Sequence, residues 1–119
     1  MKAQDLHNFA MEVVGEDLKK NGFEFLTVNS ELKKDPQYVC LKDKKLHFII
    51  VRAILYPTNP TDYDGVLMEK VRTHAEKFEA QTYFAGVGLA DANDYQKTLV
   101  KDAPVAINYQ GLQEITLHG

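Results

Sequence analysis

Residue types that commonly carry catalysis or bind metals are sparse in this sequence. The four histidines (His7, His47, His74 and His118) show no metal-ligand spacing with one another or with the single cysteine, Cys40. Cys40 lies within an apolar pattern, which favours a buried structural thiol over a nucleophile. The sequence therefore predicts no metal site and no resident cofactor.

Serine and glycine motifs point to no chemistry either. The single serine, Ser30, lies in a polar stretch rather than at a strand-to-helix turn, so hydrolysis by a serine triad is not expected. Gly86 and Gly88 fall within a predicted strand, and no Gly-Lys-Ser or Gly-Lys-Thr follows them, so they form no phosphate-binding loop. Glycines in a strand instead indicate a bulge or a neighbouring backbone that approaches closely.

Five lysines flank the second predicted strand, on the loop before it and the turn after it. They are Lys33, Lys34, Lys42, Lys44 and Lys45. With Tyr38 nearby, they could form a basic rim that contacts nucleic acid. Lysines at strand ends also keep a protein soluble and discourage edge-to-edge pairing. The pattern alone is compatible with both interpretations.

The overall charge argues against a generic nucleic-acid binder. Lysine and arginine total 14 against 17 aspartates and glutamates, which gives a formal net charge of −3. Only two of the cations are arginines, Arg52 and Arg72, so few side chains can hold a phosphate through two parallel hydrogen bonds. A local basic surface remains compatible with this composition.

The cysteine content and the first residues bear on location. A single cysteine excludes an intramolecular disulfide and suggests a reducing compartment. Residues 1–5 lead into an amphipathic stretch, so no signal peptide is expected. No apolar run approaches the roughly 18 residues that a membrane span needs. We therefore expect a cytoplasmic protein that does not associate with a membrane.

Hydrophobic periodicity predicts one α/β (α+β) domain over residues 1–119. Helices are predicted over 5–21, with Asp5 as N-cap, and over 64–81, capped by Asp62 or Asp64. A short helical turn is predicted over 91–101. Strands are predicted over 23–28, 37–41, 46–55, 83–90 and 104–109. The predicted order is α-β-β-β-α-β, then a turn and one more strand.

The run over 46–55 is the most informative of these segments. It is apolar on both faces instead of alternating, and it contains three isoleucines and one valine. A strand with one face in solvent alternates, whereas a strand covered on both faces does not. We therefore expect 46–55 to be the central strand of a mixed sheet, covered by helices 5–21 and 64–81.

The element order, with a Lys-Asp-Lys-Lys turn before the third strand, resembles restriction-endonuclease-like nucleases of the PD-(D/E)XK class. It is most similar to small Holliday-junction-resolvase-type domains. The resemblance covers roughly residues 8–90, and residues 21–26, 37–43 and 46–52 carry it. It implies a metal-dependent nuclease fold.

In that class an aspartate opens the second strand, and an acidic residue on the third strand completes a site for one or two divalent metals. A lysine follows two residues later on the same face, as the strand period requires. The resemblance places Gln37, Ile50 and Arg52 at these three positions. An amide oxygen ligates weakly and an isoleucine not at all, so only the cation of the motif is retained.

Two other carboxylates could compensate. Asp35 lies just before the second strand, and Glu12 or Glu16 could supply the first-helix carboxylate seen in some members of the class. One helix carboxylate and one amide make a poor site for Mg or Mn, so the resemblance implies a degenerate active site. Arg52 then either packs its stem and extends its head to water, or pairs with a group near the end of the sheet.

Three functions remain open from the sequence. The first is a noncatalytic binding or accessory domain that binds a protein, or nucleic acid through the lysines. The second is an active nuclease that uses Glu12, Asp35 and Arg52 with Mg or Mn. The third is an assembly or secretion-chaperone-like protein that works as a homodimer.

Overall fold

The computed structural model describes residues 1–116, so His118 lies outside the described residues. In chain order the elements are α1 (Ala3–Lys20), β1 (Glu24–Val28), β2 (Tyr38–Lys42), β3 (Lys45–Leu55), α2 (Gly65–Glu76), β4 (Gln81–Asp91), β5 (Val105–Tyr109) and β6 (Gln113–Ile115). The predicted order is confirmed, with β6 as an addition. The chain is a mixed α+β domain.

One mixed sheet contains all six strands. Its order is β1-β2-β3-β4-β5, and β6 pairs with β4 beside β5. Strands β3 and β4 are parallel, whereas the β1–β2, β2–β3, β4–β5 and β4–β6 pairs are antiparallel. Strand β3 thus lies in the middle, as predicted. Strand β1 forms one edge of the sheet, and β5 with β6 forms the other.

Both faces of β3 are covered, which explains its unbroken apolar run. Ile49 and Val51 belong to a core that includes Ala10 and Val14 of α1. Ile50 belongs to a second core on the opposite face, with Met68 of α2 and Phe84 of β4. The predicted coverage by one helix on each face is therefore confirmed.

The charged turn between β2 and β3 is also confirmed. Lys42 pairs directly with Lys45, so Asp43 and Lys44 form a two-residue hairpin loop. Both have positive φ, 52° and 65°, as type I′ hairpin turns require. The loop directs β3 back along β2 in a register that keeps Ile49 opposite Tyr38.

The predicted end of the second helix is wrong. Helix α2 starts after Asp64, whose Oδ1 accepts hydrogen bonds from the Val66 and Leu67 amides, but it ends at Glu76 and not at 81. Glu79 has a φ of 53°, and the Ala80 amide donates to the Ala75 carbonyl. This reversal closes the helix in the manner of a Schellman motif, so that β4 can begin at Gln81.

Two further predictions are wrong. Helix α1 begins at Ala3, and Asp5 lies within its first turn, where it accepts a hydrogen bond from the Lys2 amide. Asp91 is the last residue of β4, and residues 92–101 form bends and turns instead of the predicted short helical turn. Asp91 Oδ1 accepts hydrogen bonds from the Asn93 and Asp94 amides. Such side-chain bonds compete with helical backbone bonds.

The close approach predicted at the β4 glycines is confirmed at Gly86. A Cβ added there would lie 1.9 Å from the Pro60 carbonyl oxygen, because the 56–63 loop folds over this part of β4. Only a residue without a side chain lets this loop lie on the sheet.

We expect Gly86→Ala to lower the free energy of unfolding by about 1–3 kcal/mol, since the loop must shift to admit the methyl group. Gly65→Ala is the matched control, because no atom lies within 4 Å of its added Cβ and it occupies the first residue of α2. Urea denaturation of both variants measures the difference. Equal stabilities would contradict the proposed packing.

Candidate functional site

A two-bonded ion pair joins the end of β3 to the loop before β2. Arg52 Nη1 lies 2.9 Å from Asp35 Oδ1, and Arg52 Nη2 lies 2.8 Å from Asp35 Oδ2. The side chains are only 20% and 14% exposed. This parallel geometry is the strongest form of arginine–carboxylate pairing. Of the two interpretations of Arg52, the structure favours pairing near the end of the sheet.

Gln37 forms a hydrogen bond to the carboxylate of this pair. Its side chain is fully buried; Nε2 donates to Asp35 Oδ1 at 2.9 Å and to the Lys34 carbonyl at 3.1 Å. Its Oε1 accepts a hydrogen bond of 2.7 Å from the Val51 amide, a β3 group beyond the last residue that β2 pairs. The Gln37 amide therefore extends the β3 hydrogen bonding and presents its N–H groups, not its oxygen, to the carboxylate.

These contacts hold Asp35 in its charged form. Burial by itself raises the pKa of the Asp35 carboxyl, but the hydrogen bonds from Arg52 and Gln37, with the charge of Arg52, outweigh burial and lower the pKa below its usual value. Asp35 is thus an anion at neutral pH and neutralises Arg52.

His7 of α1 lies within electrostatic range of the Asp35–Arg52 pair, and sequence reasoning missed it. It is 1% exposed, and neither ring nitrogen has a hydrogen-bond partner among the described residues. Burial lowers the pKa of its imidazole, the charge of Arg52 lowers it further, and the charge of Asp35 raises it. We call His7, Asp35, Gln37 and Arg52 the Asp35–Arg52 cluster.

The sequence did contain a sign of His7. The apolar spacing of the first helix predicts a face of Leu6, Phe9, Ala10, Val13, Val14 and Leu18. The structure fully buries Ala10, Val14 and Leu18, in a stripe rotated slightly from the predicted face. That stripe contains His7, Ala10, Met11, Val14, Gly15 and Leu18. The 7, 10, 14, 18 spacing lies on one helical face, so a search for polar residues within every possible stripe would have found the histidine.

The helix carboxylates and the isoleucine of the proposed nuclease site are not part of this cluster. Glu12 is exposed on α1, and Glu16 is exposed and 3.7 Å from Lys19. Ile50 is fully buried in the α2-side core. Within residues 1–116, no group of three or more His, Cys, Asp or Glu side chains is arranged to hold a metal ion.

The five lysines do not form one basic rim. Lys33 and Lys34 precede β2, whereas Lys42, Lys44 and Lys45 lie at its far end. The two groups are separated by the five residues of β2, which span about 16 Å. Lys42 Nζ lies 4.8 Å from the centroid of the Phe23 ring. The predicted rim is therefore divided between opposite ends of the sheet.

Neither the single cysteine nor the second arginine is available for chemistry or phosphate binding. Cys40 is fully buried, and burial raises the pKa of its thiol to about 11, so the thiolate is not formed at neutral pH. Arg72 pairs with Glu69 and Glu76 along α2. With Arg52 bound to Asp35, both arginines of the chain have carboxylate partners.

A second candidate site lies at the carboxyl ends of the parallel strands β3 and β4, where open sheets commonly bind ligands. A cavity of about 260 Å³ opens there. We call it the aromatic cleft, and it is formed mainly by Tyr56, Thr58, Pro60, Gly88, Tyr95 and Asn108. The Tyr56 and Tyr95 rings meet edge to face, with centroids 5.3 Å apart.

Comparison with known proteins identifies the family of the chain. A family model described as "Domain of unknown function (DUF8840)" matches residues 4–115, and the chain belongs to this family. No curated protein matches the chain. No helix within the described residues is long and apolar enough to cross a membrane.

We expect Arg52→Met to lower the free energy of unfolding by about 2–3 kcal/mol, because it leaves Asp35 charged, largely buried and without its cation. The double variant Asp35→Leu with Arg52→Met should recover part of that loss. Lys19→Met, which breaks an exposed pair, is the control and should change stability by less than about 0.5 kcal/mol. Urea denaturation distinguishes them; an Arg52→Met loss no larger than that of Lys19→Met would contradict the assigned role.

We also expect His7 to make stability depend on pH. In the folded protein the pKa of the His7 imidazole lies below the usual 6.5. As the pH falls, the unfolded chain therefore binds a proton at His7 before the folded chain does. Stability is complete above pH 6.5 and declines as the pH falls through and below that value. Urea denaturation between about pH 5 and 7.5 should show this decline, and His7→Leu should flatten it. A His7→Leu slope equal to that of the unmodified protein would refute the assignment.

Proposed function

We propose that this chain is a noncatalytic binding domain built on a degenerate nuclease-like core. The order α-β-β-β-α-β and the two covering helices agree with the PD-(D/E)XK resemblance. In that resemblance the residues that matter most are Gln37, Ile50 and Arg52, and two of these belong to the Asp35–Arg52 cluster.

The observation that carries the proposal is the two-bonded pairing of Asp35 with Arg52. Each carboxylate oxygen accepts a guanidinium hydrogen bond, and Oδ1 also accepts one from Gln37. A divalent metal would have to displace these donors and would find Ile50 where the class carries its third-strand acid. These contacts favour a structural role for Asp35 and Arg52 over metal binding.

Protein is the partner class that the surface favours over nucleic acid. The lysines are split between two ends of the sheet, and both arginines are bound to carboxylates. The net charge of −3 disfavours a phosphate backbone as well. A buried free cysteine suits a reducing compartment, so we propose a cytoplasmic location. Homodimer formation stays a prediction.

The test is a cleavage assay on labelled branched, single-stranded and duplex DNA with Mg²⁺ or Mn²⁺. We expect no cleavage, because no acidic pair is positioned to activate water with a metal. We also expect no rise in melting temperature with Mn²⁺, since a metal that bound the folded state would stabilise it.

The assay includes two variants as controls against contaminating nuclease. Metal-dependent cleavage that both Glu12→Ala and Asp35→Asn abolish would establish the active-nuclease alternative and overturn the proposal. Cleavage that persists unchanged in both variants would come from a contaminant.

A further inference from the structure

The large side chains that form the walls of the aromatic cleft are about half exposed to solvent. Tyr56 and Tyr95 are 45% and 52% exposed, and Ile107 at the rim is 48% exposed. Tyrosine provides a large contact area at low entropic cost and is enriched at interfaces. Thr58 and Asn108 add polar groups that can orient a ligand.

The floor of the cleft is made of small residues from two paired strands. Gly88 pairs with Asn108, and Ala90 pairs with Ala106. Helix α2 packs lower on this face, against Ile50 and its neighbours, and does not contribute to the cleft. The cavity of about 260 Å³ over these strands is large enough for one inserted side chain.

The cleft adjoins a free strand edge. Strand β5 ends the sheet order, and its outer side pairs with no other strand among the described residues. Proline at the residue before it, Pro104, is typical of edge strands. A peptide that pairs with such an edge gains main-chain hydrogen bonds and directs alternate side chains towards one face.

The segments around the cleft are acidic. Residues 56–64 and 91–104 contain five aspartates and two lysines: Asp62, Asp64, Asp91, Asp94 and Asp102, against Lys97 and Lys101. All of these except Asp91 are exposed. This charge disfavours phosphate groups and is complementary to lysine and arginine.

We propose that the aromatic cleft and the β5 edge bind an extended peptide segment of a partner protein, with a large apolar or aromatic anchor flanked by lysine or arginine. The anchor enters the cleft and packs against the contacting rings of Tyr56 and Tyr95, and the peptide backbone pairs with β5. The inference deepens the proposed binding function, and peptide binding and DNA cleavage are measured separately, so either can fail without the other.

The probe is a short fluorescein-labelled peptide with a central tryptophan, alternating valine and threonine beside it, and Lys-Arg ends. Two matched peptides replace the tryptophan by serine, or the Lys-Arg ends by glutamates. Fluorescence anisotropy should show at least about tenfold weaker binding of both matched peptides. Raised salt should weaken binding of the basic peptide.

Protein variants locate the site. Tyr56→Ala and Tyr95→Ala should each weaken the basic tryptophan peptide about tenfold, and Asp62→Lys with Asp94→Lys should do so through charge. Val66→Ala is the control, because Val66 is 71% exposed on α2 and away from the cleft. Melting curves confirm that the variants are folded, and the aspartate variants keep the test valid if a tyrosine variant unfolds.

Four results would overturn the inference. They are no binding of the basic tryptophan peptide, equal binding of the serine peptide, insensitivity to the tyrosine and aspartate variants, or equal loss in Val66→Ala. Tyrosine-dependent binding of oligothymidylate in preference to the peptide would assign the cleft to nucleobases instead. Tyrosine-dependent dimerisation in sedimentation would assign it to a second copy of the chain.

Discussion

The rest of the structure depends on the burial of β3 on both faces. Ile49, Ile50 and Val51 are fully buried in succession, so this strand joins the α1-side and α2-side cores. Such a strand cannot expose its backbone groups to water, and each must find a partner within the protein. Where β2 stops pairing, the Gln37 side chain supplies the acceptor for Val51. The Asp35–Arg52 cluster is thus a consequence of extending a central strand beyond its neighbour.

The same constraint explains why Asp35 and Arg52 form a pair. A charged Arg52 at the end of β3 is largely removed from water and needs an anion. Asp35 meets this requirement, and each of its carboxylate oxygens accepts a guanidinium hydrogen bond. Ile50, two residues earlier on the same strand, contributes its side chain to the core between Met68 and Phe84.

Local patterns predicted much of the fold, and they failed where side chains acted over longer distances. The unbroken apolar run of β3 and the two-residue turn at Asp43 and Lys44 were readable because their causes are local. The 91–101 segment was predicted as helical, but the Asp91 side chain bonds the following amides and favours turns. The end of α2 depends on the positive φ of Glu79, which the residue type did not predict because glutamate seldom adopts that conformation.

The sequence by itself determined the order of elements, the central strand and the charged turn before it, because these follow from residue type and short-range periodicity. Only the tertiary structure decided which polar residues meet. It brought His7 within electrostatic range of Arg52 and Asp35, and it left Glu12 in solvent. It also divided the lysines between two ends of β2 and put the Tyr56 and Tyr95 rings in contact. Contacts between residues far apart in the chain depend on helix rotation and strand register, which the residue pattern leaves undetermined by one position or more.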